Sequence, residues 1–88
     1  KPVGNESGHV VLCGLGRFGL KIVERLRELG IPVVVITDNS REDRKNRAFF
    51  LGARIVTGDF RFPGVRSDAG ITTARAIILA TASDSMNL

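Results

Sequence analysis

The chain is poor in the residues that small folds use as staples and that enzymes use as reactive groups. It has one cysteine, one histidine, one methionine and no tryptophan or tyrosine in 88 residues. With Cys13 alone, no disulfide framework can form within the chain, which suits a reducing compartment. With His9 as the sole histidine, a His/Cys metal cluster is excluded. A Ser-His-Asp arrangement would have to use His9 from the start of a buried strand, so a structural His9 is expected. Cys13 sits in an apolar run and reads as a small core residue. No apolar stretch approaches the roughly 18–20 residues that span a bilayer, and residues 1–8 lack the hydrophobic segment of a signal peptide. A soluble piece is expected.

What is present is hydrophobic residues at 43% and a formal charge of +4. The first is enough for one packed core in one folding unit. The second favours anionic partners, whether a nucleotide phosphate, a nucleic acid or an acidic protein surface. The densest basic segment holds Arg41, Arg44, Lys45 and Arg47, but Glu42 and Asp43 interrupt it. Without Tyr or Trp to stack on bases, a solvated helix face is the preferred reading, and no nucleic-acid partner is expected.

Residues 1–8 mix Pro, Gly, Asn, Glu and Ser and read as a linker into a domain over 9–88. Val10-Val11-Leu12-Cys13 has the length and branching of a buried strand. After it, Phe18, Ile22, Val23, Leu26 and Leu29 line one side of a helix that Gly30 ends. Val33-Val34-Val35-Ile36-Thr37 is a second strand, its five β-branched residues suiting a sheet covered on both faces. Asn39 or Ser40 can cap a second helix, with Glu42 completing a capping box, and that helix runs to about Leu51. Arg54 to Thr57 is a third strand, Pro63 to Ala69 a weak helix and Ala76 to Ala80 a fourth strand. The alternation predicts an α/β fold, a Rossmann-like parallel sheet in strand order 3-2-1-4 with flanking helices. The sequence stops after the fourth strand, so the unit is either truncated there or completed by something else. Ser83 and Asp84 can cap a further helix.

Gly14-Leu15-Gly16-Arg17-Phe18-Gly19 has the spacing G-x-G-x-x-G. The spacing alone is weak, but here it follows a strand, opens an amphipathic helix and precedes a strand that ends in an acid. Gly14 permits the tight turn, Gly16 lets backbone approach a pyrophosphate and Gly19 allows the helix to pack on the sheet. The helix N-terminus supplies N–H groups and partial positive charge. Asp38, 24 positions after Gly14, either accepts hydrogen bonds from ribose hydroxyls or caps the second helix. Arg17 is either a phosphate contact or a solvated side chain. Asp59 either meets an adenine edge or caps a turn. Thr81 lies beside the switch point where such sheets bind ligands, and Phe18 and Asn39 flank the same site. A Walker-type loop is excluded, because Leu20-Lys21-Ile22 follows Gly19 where Lys and Ser or Thr are needed.

These residues resemble the RCK domains, also called KTN domains, of potassium channels and potassium-uptake systems. Residues 9–19, residues 33–38, Gly58-Asp59, Asp68-Ala69-Gly70-Ile71 and residues 81–88 carry the likeness. The resemblance implies a cytoplasmic sensor of NAD, NADH, ATP or ADP at the inner face of the membrane, not an enzyme. It implies assembly of copies as a dimer or ring beneath a pore, whose state the ligand shifts. By position, Gly14, Gly16, Arg17, Gly19, Asp38 and Asp59 take the binding roles. One departure is Phe60-Arg61-Phe62, where the family has small residues and an acid; another is Arg66, at a position usually apolar. The first alters the adenine side of the pocket, or leaves two exposed Phe for a neighbouring subunit. Two other readings stay open: the cofactor half of an NAD-dependent oxidoreductase, and an assembly element with an empty pocket.

Overall fold

The computed structural model describes residues 8–38 and 41–80. Its elements are β1 (Val10–Cys13), α1 (Arg17–Glu28), β2 (Val33–Thr37), α2 (Glu42–Phe50), β3 (Arg54–Thr57), α3 (Pro63–Asp68), a 3-10 turn (Ile71–Thr73) and β4 (Ala76–Leu79). The four strands form one parallel sheet in the order β3-β2-β1-β4. The expected fold is therefore the observed one, with strand limits displaced by at most a residue.

The sheet has apolar layers on both faces because β1 throughout and β2 up to Ile36 carry apolar residues, and strand side chains alternate. Leu12, Val33 and Val35 pack with Leu15, Val23, Ala48, Ala53 and Ala80 in one cluster. Val11, Cys13, Val34 and Ile36 pack with Val56 and Ala69 in the other. Each such fully buried aliphatic side chain contributes about 1.5–3 kcal/mol. The in-register pairs Cys13 with Ile36, Cys13 with Leu79 and Thr37 with Thr57 bring the carboxyl ends of all four strands to one edge. The loops leaving those strands share that edge.

The apolar stripe of α1 differs from the expectation. Val23 and Gly19 are buried and Leu20, Ile22 and Leu26 pack against the core, whereas Phe18 and Leu29 are exposed. At roughly 100° per residue, Phe18 lies about 140° and Leu29 about 120° around the helix from Val23, so neither reaches the sheet. Arg27 instead joins the helices, its Nε donating to the Leu51 carbonyl at 3.0 Å and an Nη to that of Ile31 at 3.1 Å. The cap of α2 is also displaced. The helix begins at Glu42 with Arg41 in the cap position and no side-chain cap bond. Asn39 and Ser40, expected to cap it, lie outside the described residues, as do Ser83 and Asp84. No helix among the described residues is long and apolar enough to cross a membrane.

Candidate functional site

Where β1 ends, Gly14 turns the chain with φ +103°, a conformation that side chains with a Cβ rarely adopt. Its N–H donates to the Ile36 carbonyl at 2.9 Å, tying the turn to β2. Leu15 is buried beneath the turn, and Gly16 occupies the cap position of α1 with extended backbone. A Cβ at residue 19 would collide with the Gly14 carbonyl oxygen, so the first turn of α1 packs on the turn itself. That first turn has no acidic residue, so its own sequence does not neutralise the positive end of the helix dipole.

Beside this turn a cleft of about 390 Å³ opens at the carboxyl ends of the strands. Of the residues expected at the site, Gly14, Asp38 and Asp59 line it, together with Thr37, Gly58 and Arg61, and with Cys13, Ile36, Phe60 and Leu79 as its apolar part. Gly16, Arg17, Phe18 and Gly19 stand next to it at the start of α1 without lining it. Arg17 and Phe18 are exposed there. Asn39 and Thr81, two further expected contacts, lie outside the described residues. Among the described residues that line the cleft there is no histidine, lysine or tyrosine. No group of three or more metal-ligating side chains occurs among the described residues. The cleft sets the glycine turn, with the start of α1 beyond it, on one side and two carboxylates and a guanidinium on the other, an arrangement that can hold a polar molecule.

The segment after β3 has a definite structure that its sequence conceals. The Gly58 N–H donates to the Thr37 carbonyl at 3.0 Å, and the side chain of Val65 packs so closely on Gly58 that no Cβ fits there. The expected pair of exposed phenylalanines is corrected to one: Phe62 is exposed, whereas Phe60 packs against the second core cluster. Arg66 ties α3 to the turn that precedes it. Its guanidinium lies 5.7 Å from the centre of the Phe60 ring and donates to the Phe60 and Arg61 carbonyls, each at 2.9 Å. Asp59 is held by Arg61, whose guanidinium hydrogen bonds and backbone N–H keep the carboxyl below its ordinary range. Asp59 in turn raises Arg61, with a smaller push from the charge of Asp38. The Asp59 turn was one of the two readings open in the sequence. A signal for it exists, since Asp commonly accepts the N–H two residues on.

The remaining candidates are structural. His9 precedes β1, at the end opposite the cleft; it is wholly buried, and its Nε2 bonds the Ala69 carbonyl at 2.8 Å. Cys13 is 1% exposed, and burial pushes its thiol up to about 11. At the start of α2 and along it, basic residues pair within the chain, as Arg41–Asp43, Lys45–Glu42 and Arg47–Glu24.

Among known protein families, the TrkA-N domain model matches residues 10–88. The chain belongs to the TrkA-N family. TrkA-N domains are the N-terminal portions of RCK domains, Rossmann-type nucleotide-binding domains that regulate potassium-transport systems. An uncharacterized protein of Methanothermus fervidus is 32% identical over 90 residues, covering 100% of this chain and 14% of that protein. Potassium channel protein 1 of Methanocaldococcus jannaschii is 26% identical over 82 residues, covering 93% of this chain and 25% of the channel protein. The crystal structure of the TrkA-N domain of the Escherichia coli inner membrane protein ybaL aligns with a TM-score of 0.72 and 29% identity, over 85% of this chain and 54% of that one. This TrkA-N chain thus spans a quarter or less of the curated relatives it matches.

Proposed function

We propose that the chain is a ligand-sensing regulatory domain of a potassium channel or transporter and that it binds an adenine nucleotide, NAD(H) or ATP/ADP. The observation that carries this reading is the position of the cleft. It opens at the carboxyl ends of parallel strands, between the glycine turn after β1 and Asp38 after β2, where open α/β sheets take their ligands. Gly14, Gly16 and Gly19 shape the phosphate side, Arg17 and Phe18 border it, and Asp38 with Asn39 takes the ribose. Asp59 and Thr81 complete the base side and the switch point.

Regulation follows from linkage. A nucleotide that binds one arrangement of an assembly more tightly than another shifts the assembly toward the first. The assembly is a homo-oligomer, a dimer or a ring, at the cytoplasmic face of the membrane beneath the pore it controls. The name of the Methanocaldococcus relative, a potassium channel, supports this partner. The domain does no chemistry on its ligand.

The test is a thermal melt with NAD, NADH, ATP and ADP in turn. At a hundredfold excess over Kd, a ligand specific to the folded state adds about 2.7 kcal/mol. One or more of the four raises Tm, and Asp38→Ala or Gly16→Val removes the rise. No rise with any of them at millimolar concentration rejects the reading.

A further inference from the structure

The carboxylate of Asp59 is already satisfied by a single residue. The Arg61 backbone N–H donates to its Oδ1 at 2.8 Å, Arg61 Nε to Oδ1 and Oδ2 at 3.1 Å each, and an Nη to Oδ2 at 2.7 Å. An ionised carboxylate has about four acceptor positions; three N–H groups of Arg61 occupy most of them, the Nε–H being shared between both oxygens. The Arg61 side chain is 84% exposed and that of Asp59 only 23%. At this point the cleft therefore presents a guanidinium rather than a carboxylate.

Exposed ion pairs are often weak because two long side chains must be ordered to form them. Here the backbone of the turn is ordered by its surroundings, and the Arg61 N–H is itself bonded to Asp59. Arg66 holds the Phe60 and Arg61 carbonyls, the half-buried Phe60 ring packs against the core, and Val65 closes on Gly58. The turn places Arg61 over Asp59 before any ligand arrives.

The consequence concerns the base of a nucleotide. A 6-amino purine offers an N–H donor at that edge and is matched by a carboxylate; a 6-oxo purine offers an acceptor and is matched by a guanidinium. We propose that Arg61 is a specificity-determining residue of the cleft. By covering Asp59 it withholds the carboxylate from the adenine amino group and substitutes N–H donors, so the site does not prefer adenine over hypoxanthine. This rests on the nucleotide reading above and adds to it how the site treats the 6-position of the purine.

The test compares dissociation constants of ATP with inosine triphosphate, and of NAD with nicotinamide hypoxanthine dinucleotide, by titration calorimetry. The ratio within each pair is the readout. Removing Arg61 also makes the cleft more negative, but that weakens both members of a pair alike and cancels. The native protein is expected to show a ratio near one. Arg61→Met is expected to favour the adenine member roughly tenfold, the effect of one charge-assisted hydrogen bond. Adding Asp59→Ala to Arg61→Met is expected to return the ratio to about one. A strong adenine preference in the native protein overturns the proposal, and so does an unchanged ratio in Arg61→Met. Equal, large losses for both members in Arg61→Met also overturn it, because Arg61 would then be a phosphate contact. Failure of the native protein to bind any of the four compounds instead sinks the nucleotide reading itself.

Discussion

The Gly14 carbonyl oxygen occupies the space that a Cβ at residue 19 would need, so two glycines five residues apart lock the first turn of α1 onto the turn before it. The obstacle is backbone, not the yielding end of a side chain. The third glycine of the motif thus has a steric reason that holds whether or not a ligand is bound.

Gly19→Ala is expected to cost about 1–3 kcal/mol, as overpacking of a closed site does. In a domain of this size each kcal/mol lowers Tm by roughly 4–8 °C. Gly64→Ala is the matched control, because the position is helical and nothing lies within 4 Å of the added Cβ. That variant is expected to gain about 0.4–1 kcal/mol through the unfolded chain. Urea denaturation of both variants checks the pair, and equal effects would contradict it.

His9→Ala is expected to destabilise by about 2–4 kcal/mol, since it removes a buried ring and leaves the Ala69 carbonyl without its partner. Because His9 lies at the far end of β1, the variant is expected to keep the affinity of the native protein for its nucleotide. A loss of affinity in a still-folded His9→Ala protein would place His9 in the site.

Arg66→Ala is expected to cost about 1–2 kcal/mol by releasing two carbonyls and the Phe60 ring. Amide hydrogen exchange should quicken first at residues 60–62. Uniform quickening across the sheet would mean that Arg66 supports the whole fold and not this turn.

Much of the fold was legible because β1 and β2 are uninterrupted β-branched or aliphatic runs and each helix ends at a glycine. The glycine turn was legible for the same local reason. What the sequence did not show depended on rotation or on distance. Phe18 and Leu29 fit an apolar spacing of three to five, yet they drift around the helix and out of contact with the sheet. The His9 contact spans 60 residues and has no local signal. Phe60 and Phe62 look alike in sequence, and only the turn anchored by Arg66 separates an inward ring from an outward one.

Cys13 gives a prediction in pH. Burial raises its thiol from 9.0 to about 11 in the folded state. A raised acid holds its proton more tightly when folded, so its contribution to stability is complete below pH 9 and is lost as pH rises from 9 toward 11. Denaturant midpoints of the native protein should fall across that window more than those of Cys13→Ala. In native protein at pH 8, iodoacetamide should react at the rate of unfolding, and immediate labelling would contradict the burial argument.

The most direct test of the account is an amide chemical-shift map of the protein titrated with ATP and with NAD. The largest changes are expected at residues 14–19, at Asp38 and at residues 58–61, and Gly16→Val is expected to remove them. Changes centred on the basic face of α2, or none at saturating ligand, would contradict it.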